Sequence, residues 1–116
     1  MRTVEVNESI GAKGCKAWVE THEKVLLFFV SGDCPPCEIM KDRMQGLLES
    51  LKWKSECILF RIHAESAMEL IRKYEVKSVP TVFFIENGKK VGNIIGTLKD
   101  ATILRRLKRF LGVSNG

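Results

Sequence analysis

Val25-Leu26-Leu27-Phe28-Phe29-Val30-Ser31-Gly32-Asp33-Cys34-Pro35-Pro36-Cys37-Glu38 is the stretch on which the fold turns. Residues 25–30 form the longest apolar run of the chain. A short uninterrupted run of this kind suits a strand buried on both faces, and a strand is expected over 25–31. A long helix is expected over 36–51, because Met40, Met44, Leu47, Leu48 and Leu51 recur at the spacing of one buried stripe. Two cysteines three residues apart lie where the strand gives way to the helix. The spacing alone is weak evidence; that position is the context in which a C-x-x-C pair reads as a dithiol redox motif.

The chemistry follows from the helix terminus. The first turn of a helix leaves N–H groups without partners and carries a partial positive charge. Cys34, at or near the N-cap, puts its sulfur beside those donors, which favours thiolate over thiol and lowers its pKa. The thiolate is the attacking species in disulfide exchange. Cys37 lies nearly one turn on, on the same side and more buried, which suits it to resolve a mixed disulfide. Pro36 fits the first turn, where its missing N–H costs no bond, and Pro35 stiffens the loop.

Outward from this centre the elements alternate. A strand is expected over 3–6 and a helix over 9–22, with Ser9 as its cap and Ile10, Ala17 and Trp18 on one face; Gly11 and Gly14 weaken it. Residues 52–56 form a polar connection, and β-branched and aromatic content marks a strand over 57–63. A helix over 65–74 turns Ala67, Met68, Leu70, Ile71 and Tyr74 inward. Strands over 81–85 and 89–95 flank Asn87-Gly88, a type I′ hairpin signal, since both central positions need positive φ. The last helix, over 99–111, carries Ile103, Leu104, Leu107, Phe110 and Leu111 as a stripe and stops at Gly112. The order βαβαβαββα implies parallel pairing with right-handed crossovers, closed by an antiparallel hairpin. The fold class is therefore α/β: one domain over 1–116, with a mixed sheet of about five strands and helices on both faces.

Composition excludes several classes. The chain of 116 residues is long enough for one domain, and its 45% hydrophobic and 28% charged residues argue against intrinsic disorder. No apolar run is long enough to span a bilayer, so no membrane partner is expected. The first residues lack the apolar core of a signal peptide. A cytoplasmic, reducing setting is the expectation, and there four cysteines are poor candidates for a structural disulfide framework. The net charge of +5 is concentrated in the last helix. Because the aromatic interleaving of single-strand binders is missing there, a solvated basic face is expected and nucleic acid is not. Cys15 and Cys57 fit buried thiols acting as small hydrophobes. A zinc site would need paired ligand spacing that the remaining Cys and His do not supply.

Most X–Pro bonds are trans, so the residues alone leave Pro80 open. Taken together, however, strand 25–31, Cys34-Pro35-Pro36-Cys37, Val79-Pro80-Thr81, Asn87-Gly88 and Gly96 make the chain resemble the thioredoxin family over roughly residues 3–111. Pro36 matches the family's C-G-P-C motif and Pro35 replaces its glycine. The resemblance implies a cis bond before Pro80, packed against the dithiol, with the backbone of Val79 left to pair with a substrate strand. Gly96 falls at the family's glycine beside the substrate groove. It implies a reductase of protein disulfides in which Cys34 attacks and Cys37 resolves. The redox-active disulfide is then the only redox group, with no bound cofactor, and electrons come from a thioredoxin-reductase-like or other dithiol donor. Nothing demands more than a monomer.

The departures from the family pattern are specific. Asp33 stands where a tryptophan is usual; its charge opposes thiolate formation at Cys34 and removes an apolar contact for substrates. Phe28 replaces the buried aspartate thought to help deprotonate the resolving cysteine, and Arg61 replaces the lysine that partners it. Glu38 stands where a lysine is common. Asp42 replaces a helix-kinking proline, so a straighter helix is expected. Two other functions fit the same fold. One is a glutaredoxin-like enzyme acting on glutathione mixed disulfides, against which stand the hairpin Glu86-Asn87-Gly88-Lys89 and the lack of a Gly-Gly turn after the last strand. The other is a binding module with altered redox activity. A cluster-binding dimer using Cys34 is disfavoured by Pro36 and the resolving cysteine.

Overall fold

A computed structural model describes residues 2–6, 11–50 and 57–112. The elements run β1 (Arg2–Val6), α1 (Gly11–Thr21), β2 (Lys24–Val30), α2 (Pro35–Ser50), β3 (Cys57–His63), a 3-10 turn (Ala64–Ser66), α3 (Met68–Lys73), β4 (Thr81–Glu86), β5 (Lys89–Ile95) and α4 (Asp100–Leu111). The five strands order as β1-β3-β2-β4-β5. β3 is parallel to both β1 and β2, while β4 runs antiparallel to β2 and to β5. Among the described residues, no helix is long and apolar enough to cross a membrane.

β2 occupies the centre, and every residue from Val25 to Val30 is buried. Alternation along the strand divides these side chains between two cores. Leu26, Phe28 and Val30 pack with Met40, Met44 and Leu48 of α2 and with Ile103, Leu107 and Phe110 of α4. Val25, Leu27 and Phe29 pack with Cys15 and Val19 of α1 and with Leu70 of α3. An uninterrupted apolar run therefore works as the wall of two layers. The hairpin closes as expected, with φ of 51° at Asn87 and 81° at Gly88, and the Asn87 N–H donates to the Glu23 carbonyl at 2.8 Å. Gly112 ends α4 in the left-handed region at φ 70°, and its N–H returns to the Lys108 carbonyl.

Some expectations are corrected. The helix expected over 65–74 is two pieces, because Ala67 leaves helical geometry at φ −143°, ψ 47°. Met68 is 52% exposed, not inward: at about 100° per residue it falls on the flank of the stripe formed by Ala67, Leu70, Ile71 and Tyr74. Ala17 is exposed, and α1 buries Cys15 and Val19 instead. The second helix begins at Pro35, one residue earlier than expected. Ser9, Ile10, Leu51 and the connection 52–56 lie outside the described residues.

Candidate active site

β2 ends at Val30, and Ser31-Gly32-Asp33 carries the chain to α2. The Gly32 N–H donates to Glu65 Oε2 at 3.2 Å, tying this loop to the 3-10 turn after β3. Cys34 then stands at the helix N-cap: its carbonyl accepts the N–H groups of Cys37 and Glu38 at 3.0 and 3.2 Å. Its sulfur accepts the Cys37 N–H at 3.1 Å. Pro35 and Pro36 have no N–H to offer, so in this first turn the Cys37 amide is the group that reaches the sulfur. Cys34 and Cys37 are joined in a disulfide, with Cα atoms 5.2 Å apart. Cys34 is half-buried, whereas Cys37 is buried and belongs to the core shared by α2 and α4. The two sulfurs thus differ in exposure, Cys34 outer and Cys37 inner.

The loop before β4 completes the site. The Val79–Pro80 peptide is cis. Thr81 pairs with Phe29, which brings Pro80 to the end of β2 where the cysteine loop departs. The Pro80 carbonyl accepts the Gly96 N–H at 2.9 Å, and Gly96 holds φ 75°. Val79 and Cys34 pack against the same core. Thr81, the one buried polar side chain among the described residues, donates its hydroxyl to the Ser78 carbonyl at 2.8 Å and closes the loop from beneath. Cys34, Cys37, Val79, Pro80 and Gly96 are therefore brought to one end of the sheet.

The remaining candidates stand around them. Asp33, Pro35 and Pro36 are exposed on the rim. Phe28 is buried in the same core as Cys37, an aromatic side chain where the resemblance leads one to expect a carboxylate. Arg61 is half-buried one strand away, in register with Phe28. Glu65 carries no sequence signal for its role, and Thr81 enters the sequence reading only as part of the Val79-Pro80-Thr81 motif, not as the residue that ties its loop. A hydroxyl residue directly after a proline at a strand start is a usable signal for Thr81; Glu65 acts across 33 positions and leaves no local trace. Arg43 is a third such residue. Its guanidinium donates to the Leu98 carbonyl at 2.5 Å and lies 3.5 Å from Asp100 Oδ1, joining α2 to the start of α4.

The other two cysteines contrast with this pair. Cys15 and Cys57 are free and buried, and burial pushes their thiols up to about 11 and about 12 from an ordinary 9.0. Among the described residues no cluster of three His, Cys, Asp or Glu is placed to hold a metal ion.

A mixed five-stranded sheet with a disulfide at a helix N-terminus, facing a cis proline across the strand ends, defines the thioredoxin-fold dithiol proteins. The chain belongs to the thioredoxin family, whose sequence model matches residues 10–109. It is 27% identical over 93 residues to an M-type chloroplastic thioredoxin of Chlamydomonas reinhardtii, covering 80% of this chain and 65% of that one. It is 27% identical over 90 residues to a thioredoxin of Mycoplasmoides gallisepticum, covering 78% and 87%. The chain spans about half the length of other chloroplastic relatives that it matches. A solved structure of a mutant thioredoxin from Halobacterium salinarum superposes with a TM-score of 0.78, covering 97% of this chain and 94% of that one. At 18% identity that likeness speaks for the fold.

Proposed function

We propose that this chain reduces disulfides in protein substrates by dithiol–disulfide exchange. In the reduced protein the Cys34 thiolate attacks one sulfur of the substrate disulfide. A new S–S bond forms, the substrate bond breaks, and the second substrate sulfur leaves as a thiolate that takes up a proton. Cys37, once deprotonated, attacks the Cys34 sulfur and releases the first substrate sulfur as a thiol. The substrate gains two electrons and the Cys34–Cys37 disulfide stores the oxidation. Val79 and Pro80 hold the substrate backbone beside Gly96, with Asp33 and Pro35 on the rim and Pro36, Phe28 and Arg61 in support. The observation that carries this reading is the Cys37 amide directed at the Cys34 sulfur, with the second sulfur buried behind it.

Electrons return to the pair from a thioredoxin-reductase-like enzyme or another dithiol donor, and the protein acts as a monomer. A reducing compartment, the cytoplasm, suits two buried thiols left unpaired; fractionation of cells carrying the tagged chain tests the location. The activity is tested by insulin reduction with dithiothreitol as donor. Cys34→Ser abolishes turnover, and Cys37→Ser accumulates a mixed disulfide with its substrate. Unchanged turnover in either variant refutes the assignment. A glutathionylated peptide turned over by glutathione alone identifies a glutaredoxin-like activity instead.

A further inference from the structure

At the opposite end of β2 from the cysteine pair, a cavity of about 500 Å³ opens between the β4–β5 hairpin and the end of α4. The seven residues of β2 put it about 20 Å from the disulfide loop. Its volume is that of a small-molecule site. The strand pairing shapes it. Ile85 pairs with Lys90 and Phe84 with Gly92, so Val91 is an extra residue in the β5 edge strand, a bulge that bends the strand locally. Val91 is left 55% exposed on the cavity wall. Gly92 follows, and a Cβ there would lie 3.0 Å from the Phe84 ring. The glycine therefore leaves room for Phe84, which stacks on Phe110 with ring centres 5.1 Å apart and forms the apolar back of the cavity.

Charge around this apolar back is unbalanced. Lys24, Arg106 and Arg109 line the cavity, with Glu86 as the one lining carboxylate among the described residues. None of the three cations is ion-paired with a described residue. Arg106 donates to a neutral acceptor, the Asn93 carbonyl, at 2.9 Å, which uses one of the five guanidinium donors and fixes the group at the mouth. The Lys24 ammonium lies 5.7 Å from the centre of the Phe110 ring. Two arginines three residues apart share one face of α4, and guanidinium forks match phosphate and carboxylate oxygens.

We infer that this cavity binds a small organic anion of nucleotide size, with an apolar ring against Val91 and the Phe84–Phe110 wall and two or more negative charges on Arg106, Arg109 and Lys24. This site is separate from the redox centre and does not rest on the reductase reading.

Titration of the isotopically labelled full chain with ADP, followed by amide NMR, tests the inference, with adenosine and inorganic phosphate as partial probes. ADP is expected to saturate shifts at Gly92, Asn93 and Arg109 in the submillimolar range, with each partial probe at least tenfold weaker. Arg106→Gln combined with Arg109→Gln is expected to weaken ADP at least tenfold and leave insulin reduction unchanged. Three results overturn it: no saturable shift at millimolar ADP; equal shifts from ADP and phosphate spread to Lys99 and Arg105; or tight binding of a single-stranded oligonucleotide without binding of ADP. The last two would show a general polyanion face in place of a cavity site.

Discussion

The backbone amide of Cys37 points at the sulfur of Cys34 from 3.1 Å. On reduction that acceptor becomes a thiolate, and the same N–H, backed by the positive end of a 16-residue helix, stabilises its charge. Asp33, adjacent in sequence and exposed, works in the opposite direction. Alkylation of reduced protein against pH is expected to give a Cys34 midpoint below the roughly 8.5 of a free thiol. Asp33→Asn removes the opposing charge and is expected to lower the midpoint further. A midpoint at or above the free-thiol value would show that the aspartate outweighs the helix terminus.

Glu65 reaches across from the turn after β3 to accept the Gly32 N–H, two residues before Cys34. This bond is solvent-exposed and is worth about 0.5–1 kcal/mol. Its larger effect is on position, since it holds the loop that delivers Cys34 to the helix cap. Glu65→Ala is expected to lower stability by that small amount, to speed hydrogen exchange at the Gly32 amide, and to slow attack by Cys34 several-fold. Glu65→Gln keeps an acceptor and should recover the exchange protection. Equal exchange in both variants and the parent would show that the loop is held by other means.

The fold was legible where one element serves one purpose. The run over 25–30, the α2 and α4 stripes and Asn87-Gly88 each carry their own periodicity or turn chemistry, and each forms the expected element over the described residues. The region around Ala67 was not, because a helical stripe continues through a residue whose backbone leaves the helix. At the site, the cysteine pair announced itself by its place between strand and helix. The Pro80 isomer did not, since a residue pattern carries no sign of it and only the family resemblance implied it. Glu65 and Arg43 were silent because each acts on a backbone group far away in sequence, whose position exists only in the folded chain.

Phe28 is 1% exposed and shares a core with Cys37. With an aromatic ring in place of a carboxylate, deprotonation of Cys37 draws on solvent or on the departing sulfur. Phe28→Asp is expected to cost about 3 kcal/mol or more in stability, from lost packing and a buried carboxyl. It is also expected to shorten the life of the mixed disulfide. Burial raises the new carboxyl's pKa, so the gain should grow as pH rises through that value. Stopped-flow thiol trapping alongside denaturant unfolding separates the two effects. An unchanged lifetime across pH would show that proton removal from Cys37 is not the slow step.

Cys15 and Cys57 hold their protons at about 11 and about 12 because burial penalises the thiolates. At pH 8 roughly one Cys15 in a thousand and one Cys57 in ten thousand is ionised, so neither competes with Cys34 for disulfides. In the Cys34→Ser, Cys37→Ser double variant, iodoacetamide is expected to leave the native chain unlabelled and to label both thiols in denaturant. The same shifts set a pH window for stability. Both folded values lie above the ordinary 9.0, so the unfolded chain releases these protons first. The stability they contribute is complete below pH 9 and is lost as pH rises through 11 and 12. The urea midpoint of the double variant should therefore fall above pH 9. Adding Cys15→Ala and Cys57→Ala should flatten that fall while lowering the midpoint at neutral pH through lost packing. A fall of the same steepness without the two thiols would place its cause outside Cys15 and Cys57.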